Sequence, residues 1–228
     1  MLSKYKILNL YACLGGNRYK WDEVAKEAGI EIEVTAVEWD EELAKLYQER
    51  FPNDIVIVAD AHQYLLDHYK EFDFIWSSPP CPSHSKIRIS QKSRDTFNAV
   101  YPDMKLYEEI LFLDNYFQGK YVVENVIPYY QPLIPAKKRH RHLYWTNFNL
   151  PNILSNREYD GVFCAGTDEH KSLEKFHNYK CKASIGGYRD VLRNLVDYEA
   201  GKTILETALG LQKNKTNQST IFDIIGND

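Results

Sequence analysis

The chain is poor in cysteine: four stand among 228 residues, at positions 13, 81, 164 and 181, too few and too scattered for a disulfide framework. That usage fits a reducing compartment and leaves each thiol as a buried apolar group or a working one. No apolar run approaches the roughly 20 residues that a membrane helix needs, so no membrane partner is expected. The opening Met-Leu-Ser-Lys-Tyr-Lys runs straight into Ile7 to Ala12, a stretch too short and too polar in its flanks for a secretory leader. The sequence therefore predicts an intracellular protein. An excess of positive charge is missing too, since the formal net charge is −4. This argues against coating nucleic acid by bulk attraction, but charge is local in Lys137, Lys138, Arg139, His140, Arg141 and His142, a dense basic cluster able to meet phosphates. There is no internal repeat, and the length suits one domain with a full core and a small appendage.

What is present is an alternation of apolar runs with charged, helix-period segments from residue 5 to 80, the pattern of a parallel sheet built from strand-helix-strand units. "KILNLYA" reads as a first strand, "WDEVAKEAG" as a helix closed by Gly29, "IEVTAVEW" as a second strand and "DEELAKLYQERFP" as its helix. "DIVIVAD", "HQYLLDHYK" and "FDFIWSS" continue the alternation. Residues 86–104 are polar and aperiodic, long enough for a lid. "KLYEEILFLDNYF" gives a further helix and "KYVVENV" a fifth strand. No element is drawn between 151 and 188; a helical segment from about Arg189 to Leu209 and a polar tail follow.

Each strand ends in a loop with chemical potential, which is where open α/β sheets place their ligands. Adjacent Gly15 and Gly16 after the first strand allow close backbone approach to a ligand, although a Gly-Gly turn is more often just a turn. Glu38 ends the second strand, where a carboxylate can accept ribose hydroxyls, and Trp39 beside it can stack on a purine. Asp60 and Ala61 end the third; an acidic group there can reach an adenine amine or simply cap a helix. Read together, the three loops describe a pocket for an adenosine-bearing cofactor. At the fourth strand end stands Ser78-Pro79-Pro80-Cys81-Pro82, whose prolines fix the backbone and hold one thiol in a set direction. A nucleophilic cysteine needs a group that helps its substrate accept attack, and Glu124, followed by Asn125, ends the fifth strand.

These residues resemble the S-adenosylmethionine-dependent cytosine-5 DNA methyltransferases, in order from Leu8 to about Phe148. Tyr11, Ala12, Leu14, Gly15 and Gly16 are similar to the family's cofactor loop, Glu38 and Trp39 to its ribose and adenine contacts, and Asp60 with Ala61 to the third contact. Pro79-Pro80-Cys81 resembles the proline-cysteine nucleophile motif, Glu124-Asn125-Val126 the acidic motif opposite it, and Arg139-His140-Arg141 the paired-arginine motif. The resemblance implies a Rossmann-like α/β fold, a mostly parallel sheet with helices on both faces, and S-adenosylmethionine as cofactor. It also implies that Cys81 adds to carbon 6 of a flipped cytosine, that Glu124 holds the ring nitrogen 3 and the amine, and that Arg141 or Arg139 holds the carbonyl oxygen. Ser85, Lys86 and Arg88 fall where the family's catalytic loop closes, and with Lys137 and Lys138 they are the expected nucleic-acid contacts.

The sequence departs from that pattern in three places. Cys13 stands where the family usually has its first glycine, the final cofactor motif is missing near the carboxyl end, and only about fifty residues separate Arg141 from "RNLVDYEAGKTIL", a faint match to a later element containing Arg193, Glu199 and Ala200. The expected organisation is a cofactor-binding catalytic domain over 1–150, a reduced target-recognition segment over 151–188, and a C-terminal helix and tail over 189–228 that pack back on it. Such compactness is similar to phage-borne and restriction-modification methyltransferases, implies a cytoplasmic setting in a bacterial or phage-infected cell, and leaves specificity to the short segment or to a protein partner. A relative within this fold methylates a cytosine in transfer RNA, so DNA and transfer RNA both stand as substrates, and a catalytically silent DNA-binding relative is the third reading. Cys164, His170, His177 and Cys181 match no standard zinc finger, and no metal is expected.

Overall fold

A computed structural model describes residues 4–90, 98–157, 167–180 and 188–211. The chain alternates as its pattern predicts: β1 (Tyr5–Leu10), α1 (Trp21–Ala28), β2 (Ile32–Glu38), α2 (Glu41–Arg50), β3 (Ile55–Val58), α3 (Ala61–His68) and β4 (Phe74–Ser77). A short α4 (Ile87–Ser90), then α5 (Lys105–Tyr116), β5 (Lys120–Val126), β6 (Lys137–Arg139) and β7 (His142–Thr146) complete the sheet region. Beyond it lie α6 (Thr167–His177), α7 (Tyr188–Arg193) and α8 (Tyr198–Ala208).

The seven strands form one sheet in the order β3-β2-β1-β4-β5-β7-β6, parallel from β3 to β5, with β7 antiparallel to β5 and to β6. Chain order reverses between β1 and β4, so the crevice beyond their carboxyl ends is the natural ligand position. Because β7 runs backwards, its first residue, His142, lies beside Val126 at the same edge, and Tyr144 pairs with Glu124.

Period-two alternation feeds both faces of the sheet. Leu8, Ile75, Val123 and Leu143 join a core with α3 and α5, while Ile7, Phe74, Trp76, Val122 and Tyr144 join a second core with Trp21 of α1 and Ile204 of α8. Helix α1 ends where Gly29 takes a left-handed φ of 67°, a conformation that costs glycine nothing. Gly201 lets α8 lie directly on the loop after β1: a Cβ there would stand 2.2 Å from the Asn17 carbonyl oxygen. A buried pair, Arg18 with Asp54, fixes the same loop against the turn before β3, with Tyr47 donating a further hydrogen bond to Asp54.

Two expectations change. The single helix expected over 189–209 is two helices, because Asp197 leaves the helical path and caps α8, accepting from the Glu199 amide. The stretch over 151–188, drawn without elements, contains α6. No helix among the described residues is long and apolar enough to cross a membrane.

Candidate active site

The loop after β1 is strained and braced. Tyr11 and Cys13 take left-handed φ values of 56° and 46°, which glycine adopts freely and other residues adopt at a cost of roughly 1–2 kcal/mol each. Cys13 thus holds a conformation in which a glycine would be relaxed, and burial pushes its thiol up to about 12. Gly15 and Gly16 serve the loop's own packing: a Cβ on Gly15 would strike the Phe51 ring at 2.4 Å, and one on Gly16 the Val196 carbonyl oxygen at 2.4 Å. Leu14 is buried against α6 and α7, and Ala12 against α2.

Glu38, buried at the end of β2, is turned into this loop. Its carboxylate accepts from the Cys13 amide at 2.8 Å and from the amides of Trp39 and Asp40 at 3.0 and 3.1 Å, and desolvation raises its pKa against those hydrogen bonds. The Trp39 ring projects into solvent, 80% exposed. Asp60 caps α3 through the His62 and Gln63 amides and meets Lys105 at 3.4 Å, and Ala61 is buried behind it.

At the end of β4, Pro79 is buried and its carbonyl accepts from Asn125 Nδ2 at 2.9 Å. That bond ties the proline turn to the end of β5. Cys81 is partly exposed, and its carbonyl accepts from the amides of His84 and Ser85, which starts the turn that leads away. Burial, then the charge of Glu124, raise the Cys81 thiol pKa. Glu124 is itself buried, and a short relay holds it: the Trp76 indole donates to Ser78 Oγ at 2.9 Å, and Ser78 Oγ donates to Glu124 Oε2 at 2.9 Å. The other oxygen, Oε1, faces His142 Nε2 at 3.6 Å.

The paired arginines diverge. Arg139 spends its guanidinium on the carbonyls of Lys138, Leu150 and Pro151, and Lys137 sends its ammonium to Thr146 and to the Phe148 carbonyl, so both brace the chain as it leaves β7. Lys138 and Arg141 are exposed. Arg141 and His142 border a cavity of about 380 Å³ that reaches Arg157, His177, Arg193 and Asp197. Arg157 pairs with Asp197 at 2.6 Å, and Arg193 grips Glu169 with two hydrogen bonds. On the stretch after Cys81, Lys86 is exposed, Ser85 Oγ accepts from the Ile87 amide, and Arg88 donates to the Asn98 carbonyl.

Sequence reading brought Cys81, Glu124, Glu38, Trp39 and Asp60 to one sheet edge, and that is where they lie. It named Ser78 and His142 within their stretches without giving either a role at the site, and it passed over Glu109. The last is 1% exposed on the buried face of α5, and the visible signal was a carboxylate set in the apolar stripe of Leu106, Ile110 and Leu113. Among the described residues no group of three His, Cys, Asp or Glu side chains could hold a metal; Cys164 and Cys181 lie outside them.

Comparison with known proteins follows this geometry. A profile of C-5 cytosine-specific DNA methylases matches residues 5–126, from β1 through β5. No curated protein sequence matches. Among solved structures, the methyltransferase EhMeth of Entamoeba histolytica superposes with a TM-score of 0.57 at 10% identity, over 92% of this chain and 100% of its own. A triple mutant of DNMT2 from Spodoptera frugiperda gives 0.55 at 14% identity, over 90% and 99%. At these identities the likeness is one of fold.

The residues at the crevice fit the family's cofactor. An exposed indole offers a flat face to an adenine, and the Glu38 and Asp60 carboxylates sit at neighbouring strand ends where ribose and amine donors would come. The strained turn at Tyr11 and Cys13 follows β1, the strand next to β2. With more than half its length matched, the chain belongs to the C-5 cytosine-specific DNA methylase family and is an S-adenosylmethionine-dependent methyltransferase.

Proposed function

We propose that the protein methylates carbon 5 of cytosine in DNA through a covalent adduct on Cys81. The observation that supports this reading best is the meeting of nucleophile and acid: Cys81 on its proline mount feels the charge of Glu124, which the Ser78 relay holds in place. As thiolate, Cys81 Sγ forms a bond to carbon 6, and the electrons of the carbon 5–carbon 6 double bond shift toward nitrogen 3, which takes a proton from the Glu124 carboxyl. S-adenosylmethionine supplies the electrophilic methyl that the enriched carbon 5 accepts. A solvent base then takes the carbon 5 proton, the double bond re-forms with expulsion of Cys81 as thiolate, and nitrogen 3 returns its proton to Glu124. Arg141 or Arg139 holds the cytosine carbonyl oxygen. Trp39, Glu38 and Asp60 hold the adenosine part of the cofactor.

Residues 1–150 act in this reading as the catalytic domain, 151–188 as a reduced target reader and 189–228 as a return to the catalytic domain. Lys86 and Lys138, exposed near the crevice, meet backbone phosphates, and target choice comes from the short reader or from a protein partner in the cytoplasm.

The test is transfer of tritiated methyl to duplex DNA, single-stranded DNA and bulk transfer RNA, beside the Cys81→Ser protein. Label on DNA carbon 5 that vanishes with the substitution is expected. Label on RNA alone moves the protein to the transfer-RNA branch, and label that survives Cys81→Ser rules out the adduct.

A further inference from the structure

We infer that Glu109 is a positioning residue of the cofactor crevice, one carboxylate that holds the ends of β1, β3 and β4 in a fixed mutual arrangement. Glu109 lies on α5 beneath the sheet edge and is 1% exposed. Its Oε1 accepts from the Tyr11 hydroxyl at 2.6 Å and stands 3.0 Å from His62 Nδ1. Its Oε2 accepts from the Ser77 hydroxyl at 2.5 Å. Each partner opens a different loop. Tyr11 is the first residue beyond β1, Ser77 is the last residue of β4 before the Ser78-to-Cys81 mount, and His62 follows Asp60 and Ala61 in the first turn of α3.

Packing alone does not call for a carboxylate here. Its neighbours on the same face, Leu106, Ile110 and Leu113, fill the core with apolar atoms, and a buried carboxylate is tolerated only where donors surround it. Those donors come from the ends of β1 and β4 and from the first turn of α3, not from α5 itself. The one with most to gain is Tyr11, whose left-handed φ of 56° is a conformation that needs an outside anchor, and its hydroxyl is held by this carboxylate. His62 closes the arrangement from outside, since its other nitrogen, Nε2, lies 3.3 Å from Glu108. Losing the Glu109 charge would free Tyr11 and loosen the loop that carries Ala12 and Cys13, while the Cys81–Glu124 pair, fixed by Ser78 and Asn125, would keep its geometry. The inference rests on the cofactor that the family uses and not on the choice of nucleic acid.

Calorimetric titration of the full chain with S-adenosylhomocysteine tests it, because binding is read without turnover. Glu109→Gln, which keeps shape and removes charge, should weaken binding about tenfold, and Tyr11→Phe about three- to tenfold. The double variant should bind no more weakly than Glu109→Gln alone, since the hydroxyl acts through the carboxylate. Glu71→Gln, an exposed residue that pairs with His68 at the far end of α3, should bind like the parent protein. At saturating cofactor the methyl-transfer rate of Glu109→Gln should stay within about threefold of the parent, a KM effect rather than a kcat effect. Should Glu109→Gln fail to fold, Tyr11→Phe decides alone. Unchanged affinity in a folded Glu109→Gln or in Tyr11→Phe, or effects that simply add in the double variant, would overturn the inference.

Discussion

Ser78→Ala removes one oxygen from the relay that holds Glu124, and its cost can be worked out in advance. Ser78 Oγ donates to Glu124 Oε2 at 2.9 Å while accepting from the Trp76 indole, whose residue is fully buried. A hydrogen bond to a charged group contributes about 1.5–3 kcal/mol. If that bond orients Glu124 toward the cytosine, its loss appears at the step where the thiolate adds. At about 1.4 kcal/mol per factor of ten, kcat should fall roughly 10- to 150-fold. The Trp76 N–H loses its acceptor as well, but it does so before and during the reaction alike, so that penalty, about 1–3 kcal/mol, enters the unfolding free energy and not the rate. Single-turnover methyl transfer at saturating DNA and cofactor reads the first effect, and urea unfolding followed by tryptophan fluorescence reads the second. Affinity for S-adenosylhomocysteine should not move, because the relay lies on the substrate side of the crevice. A Ser78→Ala protein that turned over within about twofold of the parent, yet unfolded more easily, would show that the relay supports the fold and does not aim the acid.

Three further outcomes follow from the same geometry. Because burial and then the Glu124 charge raise the Cys81 pKa, Glu124→Gln should lower it and speed iodoacetamide labelling of Cys81 at neutral pH severalfold, read by peptide mass spectrometry that separates it from the other three cysteines; equal labelling rates would sink this account. Glu38→Ala strands the amides of Cys13, Trp39 and Asp40, and should weaken S-adenosylhomocysteine binding about tenfold, with unchanged affinity counting against the assigned pocket. His177 is buried, and burial with the charges of Arg157 and Arg50 holds its imidazole down to about 3. Its folded pKa is depressed below the unfolded value near 6.5, so stability is lost as pH falls below that value, by about 1.4 kcal/mol per pH unit and about 2 kcal/mol by pH 5. Urea unfolding of His177→Gln should show a correspondingly shallower decline, and parallel pH profiles would refute the reasoning.

Much of the sheet was legible because its strands and helices obey simple periods. Leu8 and Ile75 face one core and Ile7 and Phe74 the other, an alternation visible in the letters. The hairpin was not: β6 is Lys-Lys-Arg, which carries no apolar alternation, and it exists because β7 pairs with it. Cys81 and Glu124 could be placed at strand ends, but Ser78 acquires its role from register. The pairing of Ser77 with Val123 sets the next residue, Ser78, against Glu124, and no local pattern reports that. Side-chain direction was equally hidden. Lys137 and Arg139 look like phosphate ligands in a basic run, yet both turn toward carbonyls of their own chain.

Those two cations have a meaning for how the molecule can vary. From one face of β6 they grip the carbonyls of Thr146, Phe148, Leu150 and Pro151 in succession, like cleats on a departing rope. The point at which the polypeptide leaves the sheet is therefore fixed mechanically, independent of what comes after it. Arg141 and His142, two positions further along the hairpin, stay at the crevice edge whatever is attached downstream. Variation confined to the stretch between Pro151 and α6 would leave that edge in place, while α6, α7 and α8 stay packed on the loop after β1.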